Sequence, residues 1–82
     1  MAKSKSEKAN REELVLKQIG ERILSLREKS GKSQSEFSYQ IGWDKPNIRN
    51  IEKGRRNFTI RTLIKICESL NITMAELFDN IK

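Results

Sequence analysis

Between Ser33 and Gly54 the chain carries two helix starts and two helix stops within 22 residues, SQSEFSYQIGWDKPNIRNIEKG. Ser33 followed by Glu36 is a capping box: the serine oxygen accepts from a backbone N–H three residues on, and the glutamate reaches back to the serine N–H. Gly42 ends the helix so begun, because a C-cap needs a positive φ that glycine adopts without a Cβ penalty. Asp44 is the next N-cap, with Lys45-Pro46 in the first turn, where proline's missing N–H costs little. Gly54 is the next stop. Phe37 and Ile41 give the first helix an inward stripe, and Ile48 and Ile51 do so for the second. Helices this short are marginal alone, so they must pack on each other and on their neighbours.

Those neighbours also read as helices. Leu16, Ile19, Ile23 and Leu26 recur at helical spacing and predict a first helix from about Arg11 to Lys29, ending before Gly31. Thr59 caps a fourth helix whose apolar face is Leu63, Ile66, Cys67 and Leu70, and Asn71 breaks it. Thr73 and Glu76 form a second capping box, with Ile72 and Leu77 placed as a hydrophobic staple. No segment reads as a strand or a repeat. The polar opening MAKSKSEKAN reads as a flexible basic arm, residues 1–10, and residues 11–82 as one domain. The expected fold is all-α, a compact five-helix domain whose second and third helices make a helix-turn-helix. Leu, Ile, Val and Phe supply 21 of 82 residues, above the roughly 20% below which a chain stays disordered.

Composition removes most chemistries. The chain has no histidine and one cysteine, which excludes an internal disulfide, a cysteine-based zinc cluster and a histidine-dependent triad. No carboxylate pair, nucleophile–base set or phosphate-cradling glycine loop stands out, so neither catalysis nor a cofactor nor a metal is expected. No apolar run is long enough for a membrane span or a secretory signal, and the expected location is cytoplasmic. What remains is charge. The net charge is +6, and residues 44–61 concentrate it: Lys45, Arg49, Lys53, Arg55, Arg56 and Arg61 stand against Asp44 and Glu52. A membrane-surface role would place such charge along an apolar-backed amphipathic helix. Here it surrounds a helix-turn-helix, and the expected polyanion is duplex DNA.

The segments IGERILSLRE, SQSEFSYQIG, NIRNIEKGRRNFTIRTL and SLNITMAELF, in this order from Ile19 to Phe78, resemble the Cro/C1-type (XRE-like) helix-turn-helix family of transcriptional regulators. In size the chain is similar to restriction–modification controller proteins or small phage repressors within that family. The resemblance implies the lambda-repressor-like fold, with a recognition helix at about 45–53 lying in the major groove. Helical geometry with Ile48 and Ile51 inward turns Pro46, Arg49, Asn50 and Lys53 outward, and Lys45 sits at the helix tip. Lys45, Pro46, Arg49 and Asn50 are therefore the expected base-reading residues. Lysine or arginine can donate to guanine, asparagine can pair with adenine, and proline can touch a thymine methyl.

The expected phosphate contacts are Lys53, Arg55, Arg56, Asn57 and Arg61, with Gln34 added because it matches the family's phosphate-binding glutamine. The resemblance also implies a structural salt bridge between Arg27 and Glu52. Cys67 and Trp43 are expected to pack, and Tyr39 to be exposed.

One such domain reads few base pairs, and the resemblance implies a homodimer on a palindromic operator. Met74, Leu77, Phe78 and Ile81 follow the spacing i, i+3, i+4, i+7 and are the expected dimer interface. No small-molecule effector is implied, so control would run through protein concentration and dimerisation. A different class stays open at this point: a protein-interaction module, such as an antitoxin or phage-encoded inhibitor, using the same fold.

Overall fold

The computed structural model describes residues 2–79 and 81, with side chains from residue 11 onward. Its elements are α1 (Ala2–Lys29), α2 (Gln34–Ile41), α3 (Lys45–Glu52), α4 (Ile60–Leu70) and α5 (Met74–Leu77), with no strand among the described residues. The caps are those the sequence predicts. Ser33 Oγ accepts from Glu36 N at 3.1 Å, and Glu36 Oε1 accepts from Ser33 N at 3.0 Å. These hydrogen bonds hold the Glu36 carboxyl below its ordinary value. Asp44 Oδ1 accepts from Asn47 N at 3.0 Å to open α3, and Thr59 and Thr73 cap α4 and α5 in the same way. Gly42 takes φ 85°, the left-handed conformation that turns the chain from α2 into α3.

α1 differs from its expected length. It starts at Ala2, nine residues before the predicted Arg11. Nothing apolar is periodic in that stretch, but Ala, Lys and Glu are good helix formers and propagate a helix already nucleated by Ile19 and Ile23. The side chains of the expected basic arm, 1–10, lie outside the described residues.

Every helix contributes to one core. Its largest fully buried side chains are Ile23 of α1, Phe37 of α2, Ile48 and Ile51 of α3, Ile66 of α4 and Leu77 of α5. Each such side chain contributes about 1.5–3 kcal/mol of burial. α3 packs on both α1 and α2, and α2 also meets α4. The α1–α3 approach depends on Gly20, where any side chain would collide with the Ile51 and Glu52 carbonyl oxygens. The C-terminal end of α3, where Ile51 and Glu52 are buried, is thus set directly against the backbone of α1.

The C-terminal stripe is a correction. Leu77 is 0% exposed and belongs to the monomer core, so it is not available to a second chain. α5 also stops at Leu77, and Phe78 and Ile81 turn back to pack half-buried against the core. The periodicity was that of a core face, continued past the helix end by a turn in which Ile81 N donates to Phe78 O at 3.1 Å.

Candidate nucleic-acid interface

α3 divides its polar residues by direction. On the side facing α1, Glu52 is 5% exposed and forms the only ion pair among the described residues. Arg27 Nε donates to Glu52 Oε2 at 2.6 Å and Arg27 Nη2 to Oε1 at 3.3 Å. Arg27 Nη1 donates to the Lys32 carbonyl at 2.7 Å, which joins α1, the α1–α2 turn and α3 through one guanidinium. The salt bridge implied by the family resemblance is present.

Gln34, at the start of α2, is half-buried, and its Nε2 donates to Glu52 Oε1 at 2.9 Å, a third hydrogen bond to the buried carboxylate that uses one of the amide's two N–H donors. The physical reason is the cost of a buried acceptor left short of donors. Among the described residues no buried side-chain polar atom lacks a partner.

On the other side, Lys45, Pro46, Arg49 and Lys53 are exposed and Asn50 is half-exposed. Arg55, Arg56 and Asn57 are exposed in the loop after α3, and Arg61 is exposed in the first turn of α4. Asn57 Oδ1 accepts from Phe58 N at 2.8 Å, which fixes the loop's last turn. None of the six cations from Lys45 to Arg61 makes an ion pair with a described residue. The one side-chain interaction among them is Arg56, whose guanidinium carbon lies 5.3 Å from the Trp43 ring centroid. Six exposed cations in this stretch, none ion-paired with a described carboxylate, give a surface suited to an external polyanion.

Residues 23–77 match the sequence profile of the helix-turn-helix family. The chain belongs to that family. It is 40% identical over 65 residues to the control protein C.MunI of a Mycoplasma species, a match spanning 78% of this chain and 88% of that protein. The restriction–modification controller protein C.AhdI of Aeromonas hydrophila superposes with a TM-score of 0.74 at 32% identity, over 77% of this chain and 96% of that one. The controller protein C.Esp1396I, solved as a tetramer in complex with its natural 35 base-pair operator, superposes with a TM-score of 0.73 at 27% identity, over 82% and 88% of the two chains.

The helix-turn-helix here is α2 and α3, and the structure adds a residue to its surroundings that periodicity does not mark. Lys17 of α1, with Lys53 and Arg55, lines an open groove of about 390 Å³ whose other walls include Glu21 and Glu52. Gly54 rests on the Lys17 backbone, so that a Cβ at 54 would lie 2.6 Å from the Lys17 Cα. In sequence Lys17 is one more exposed helix lysine; only the α1–α3 crossing brings it to the loop that follows α3.

Cys67, Trp43 and Tyr39 differ in burial. Cys67 is buried with its Sγ 3.4 Å from Met74 Sδ, and burial, with the charge of Glu76, pushes its thiol pKa up. A protonated buried thiol is a packing group, as the helix-turn-helix sequence leads one to expect. Trp43 is half-buried against the core, and Tyr39 is 88% exposed. Among the described residues no cluster of His, Cys, Asp or Glu is arranged to hold a metal, and no helix is long and apolar enough to cross a membrane.

Proposed function

We propose that this chain is a sequence-specific, double-stranded DNA-binding transcriptional regulator that acts as a homodimer on a palindromic operator, without catalysis or cofactor, in the cytoplasm. The observation that carries the reading is the set of six cations on and after α3, none of them neutralised by a described carboxylate. α3 enters the major groove, where Lys45, Arg49 and Asn50 meet base edges and Pro46 offers an apolar contact. Lys53, Arg55, Arg56, Asn57 and Arg61 hold the flanking phosphates, and Lys17 extends that track onto α1. The kinship with controller proteins, one of them solved on its operator, supports this reading over a module that binds protein alone. Regulation follows from occupancy: a bound dimer excludes polymerase from a promoter or offers it a contact surface.

The experiment is a binding titration on DNA selected from a random pool, repeated across salt concentrations. Log K is expected to fall linearly with log salt, by about 0.9 per phosphate contact. A complex insensitive to salt would refute the reading.

For the dimer, Leu77 leaves the interface and Met74, Phe78 and Ile81 stay. Ile60 and Ile64 are exposed one turn apart on α4. Ile64 lies one turn before Cys67, whose Sγ contacts Met74 at the start of α5, and the interface is proposed to take in this exposed pair. Ile64→Glu is expected to give a monomer in sedimentation while the fold persists. A dimer of undiminished affinity would remove α4 from the interface.

A further inference from the structure

Trp43 is the only tryptophan in the chain, and it stands in the turn between the Gly42 cap of α2 and the Asp44 cap of α3. It is half-buried, with part of its indole packed against the core. Over the ring lies the Arg56 guanidinium, its central carbon 5.3 Å from the centroid, inside the roughly 6 Å over which a cation is held by an aromatic face. Arg56 comes from the other end of the recognition helix, four residues beyond Glu52. The stack therefore closes the motif across α3, from the turn before it to the loop after it.

The chemistry of the pair leaves Arg56 free for a ligand. A cation–π contact engages the charge of the guanidinium and consumes none of its five N–H donors. Arg56 is exposed, and no described residue accepts a hydrogen bond from it or pairs with its charge. A guanidinium presented this way fits a phosphate through two parallel N–H···O bonds. An arginine on a loop would otherwise have to lose its rotamer freedom on binding; here the indole has already restricted it.

We propose that Trp43 is a positioning residue for DNA binding: its ring holds the Arg56 guanidinium in place so that the N–H donors meet one backbone phosphate beside the recognition helix. The proposal rests on the DNA-binding reading and adds to it a residue that touches neither base nor phosphate. It also gives Arg56 a role distinct from that of Arg55, whose side chain is not stacked.

The test is a double-mutant cycle on the full chain, with the selected palindrome as probe and affinity measured across salt. Arg56→Ala is expected to lower the salt slope by about 0.9, the loss of one phosphate. Trp43→Met, apolar but without a π face, is expected to weaken binding from a few-fold to about tenfold in the parent chain and not at all in the Arg56→Ala chain. An equal loss in both backgrounds would overturn the proposal, because a merely structural tryptophan acts regardless of Arg56. Trp43→Phe keeps a ring and is expected to retain part of the coupling to Arg56, which keeps the proposal testable where the methionine chain does not fold; zero coupling in the folded phenylalanine chain counts against it. If the parent chain binds no duplex at any salt, it is the DNA-binding reading that fails, and the proposal falls with it.

Discussion

On the side of α3 turned toward α1, the Glu52 carboxylate is buried and takes three hydrogen bonds, two from Arg27 and one from Gln34. On the side turned toward solvent, Lys45, Arg49 and Lys53 form no ion pair with any described residue. One eight-residue helix and its C-cap Lys53 thus carry a charge whose partner is internal and charges whose partner is not. The difference separates two jobs. The buried pair fixes where the helix lies relative to α1, and the outward cations act on whatever approaches that fixed surface. Removing the first should change stability and leave the electrostatics of binding alone; removing the second should do the reverse.

The largest effect is expected for Glu52→Ala. It leaves the Arg27 guanidinium, whose side chain is 9% exposed, buried without its counter-charge. Breaking one partner of such a pair costs about 3–5 kcal/mol, whereas replacing both by apolar residues of similar volume is often near neutral. Denaturant unfolding should show a lower midpoint for Glu52→Ala and substantial recovery for the Arg27→Met, Glu52→Leu double variant. The salt slope of DNA binding by the folded fraction should not move. A changed slope with unchanged stability would mean that the two sides of α3 are not separate in function.

How much of this was legible in the sequence depended on range. The caps at Ser33, Asp44, Thr59 and Thr73, and the left-handed Gly42, were readable because each is fixed by atoms three or four residues apart. The Arg27–Glu52 pair spans 25 residues and came through family resemblance, since no local rule joins those positions. Gly20 was silent: inside a helix it reads as a cost of about 1 kcal/mol relative to alanine, and its use appears only where α3 crosses α1. Leu77 falls on the expected interface only because helical spacing marks an apolar face without saying what covers it. The Gln34–Glu52 bond spans 18 residues, so no local rule marks it, and the family resemblance points only to the outward use of that amide. Trp43 and Arg56, 13 residues apart, meet only because the loop after α3 turns back toward the turn before it.

The outward side of α3 can itself be divided, and the smaller effects test that division. Asn50 is half-exposed on the helix face, whereas Arg55 is exposed in the loop beyond it. A base-edge contact discriminates between sequences, and a phosphate contact does not. Asn50→Ala is expected to cost about 1–3 kcal/mol on the selected operator and much less on random duplex, with relaxed preference at one base position. Arg55→Ala is expected to weaken both DNAs alike and to lower the salt slope by about 0.9. The comparison of the two ratios, operator to random, is more informative than either affinity. Equal loss on both DNAs for Asn50→Ala would move it from the base-reading set to the phosphate track, and the sequence-reading surface would then contract to Lys45, Pro46 and Arg49 at the start of α3.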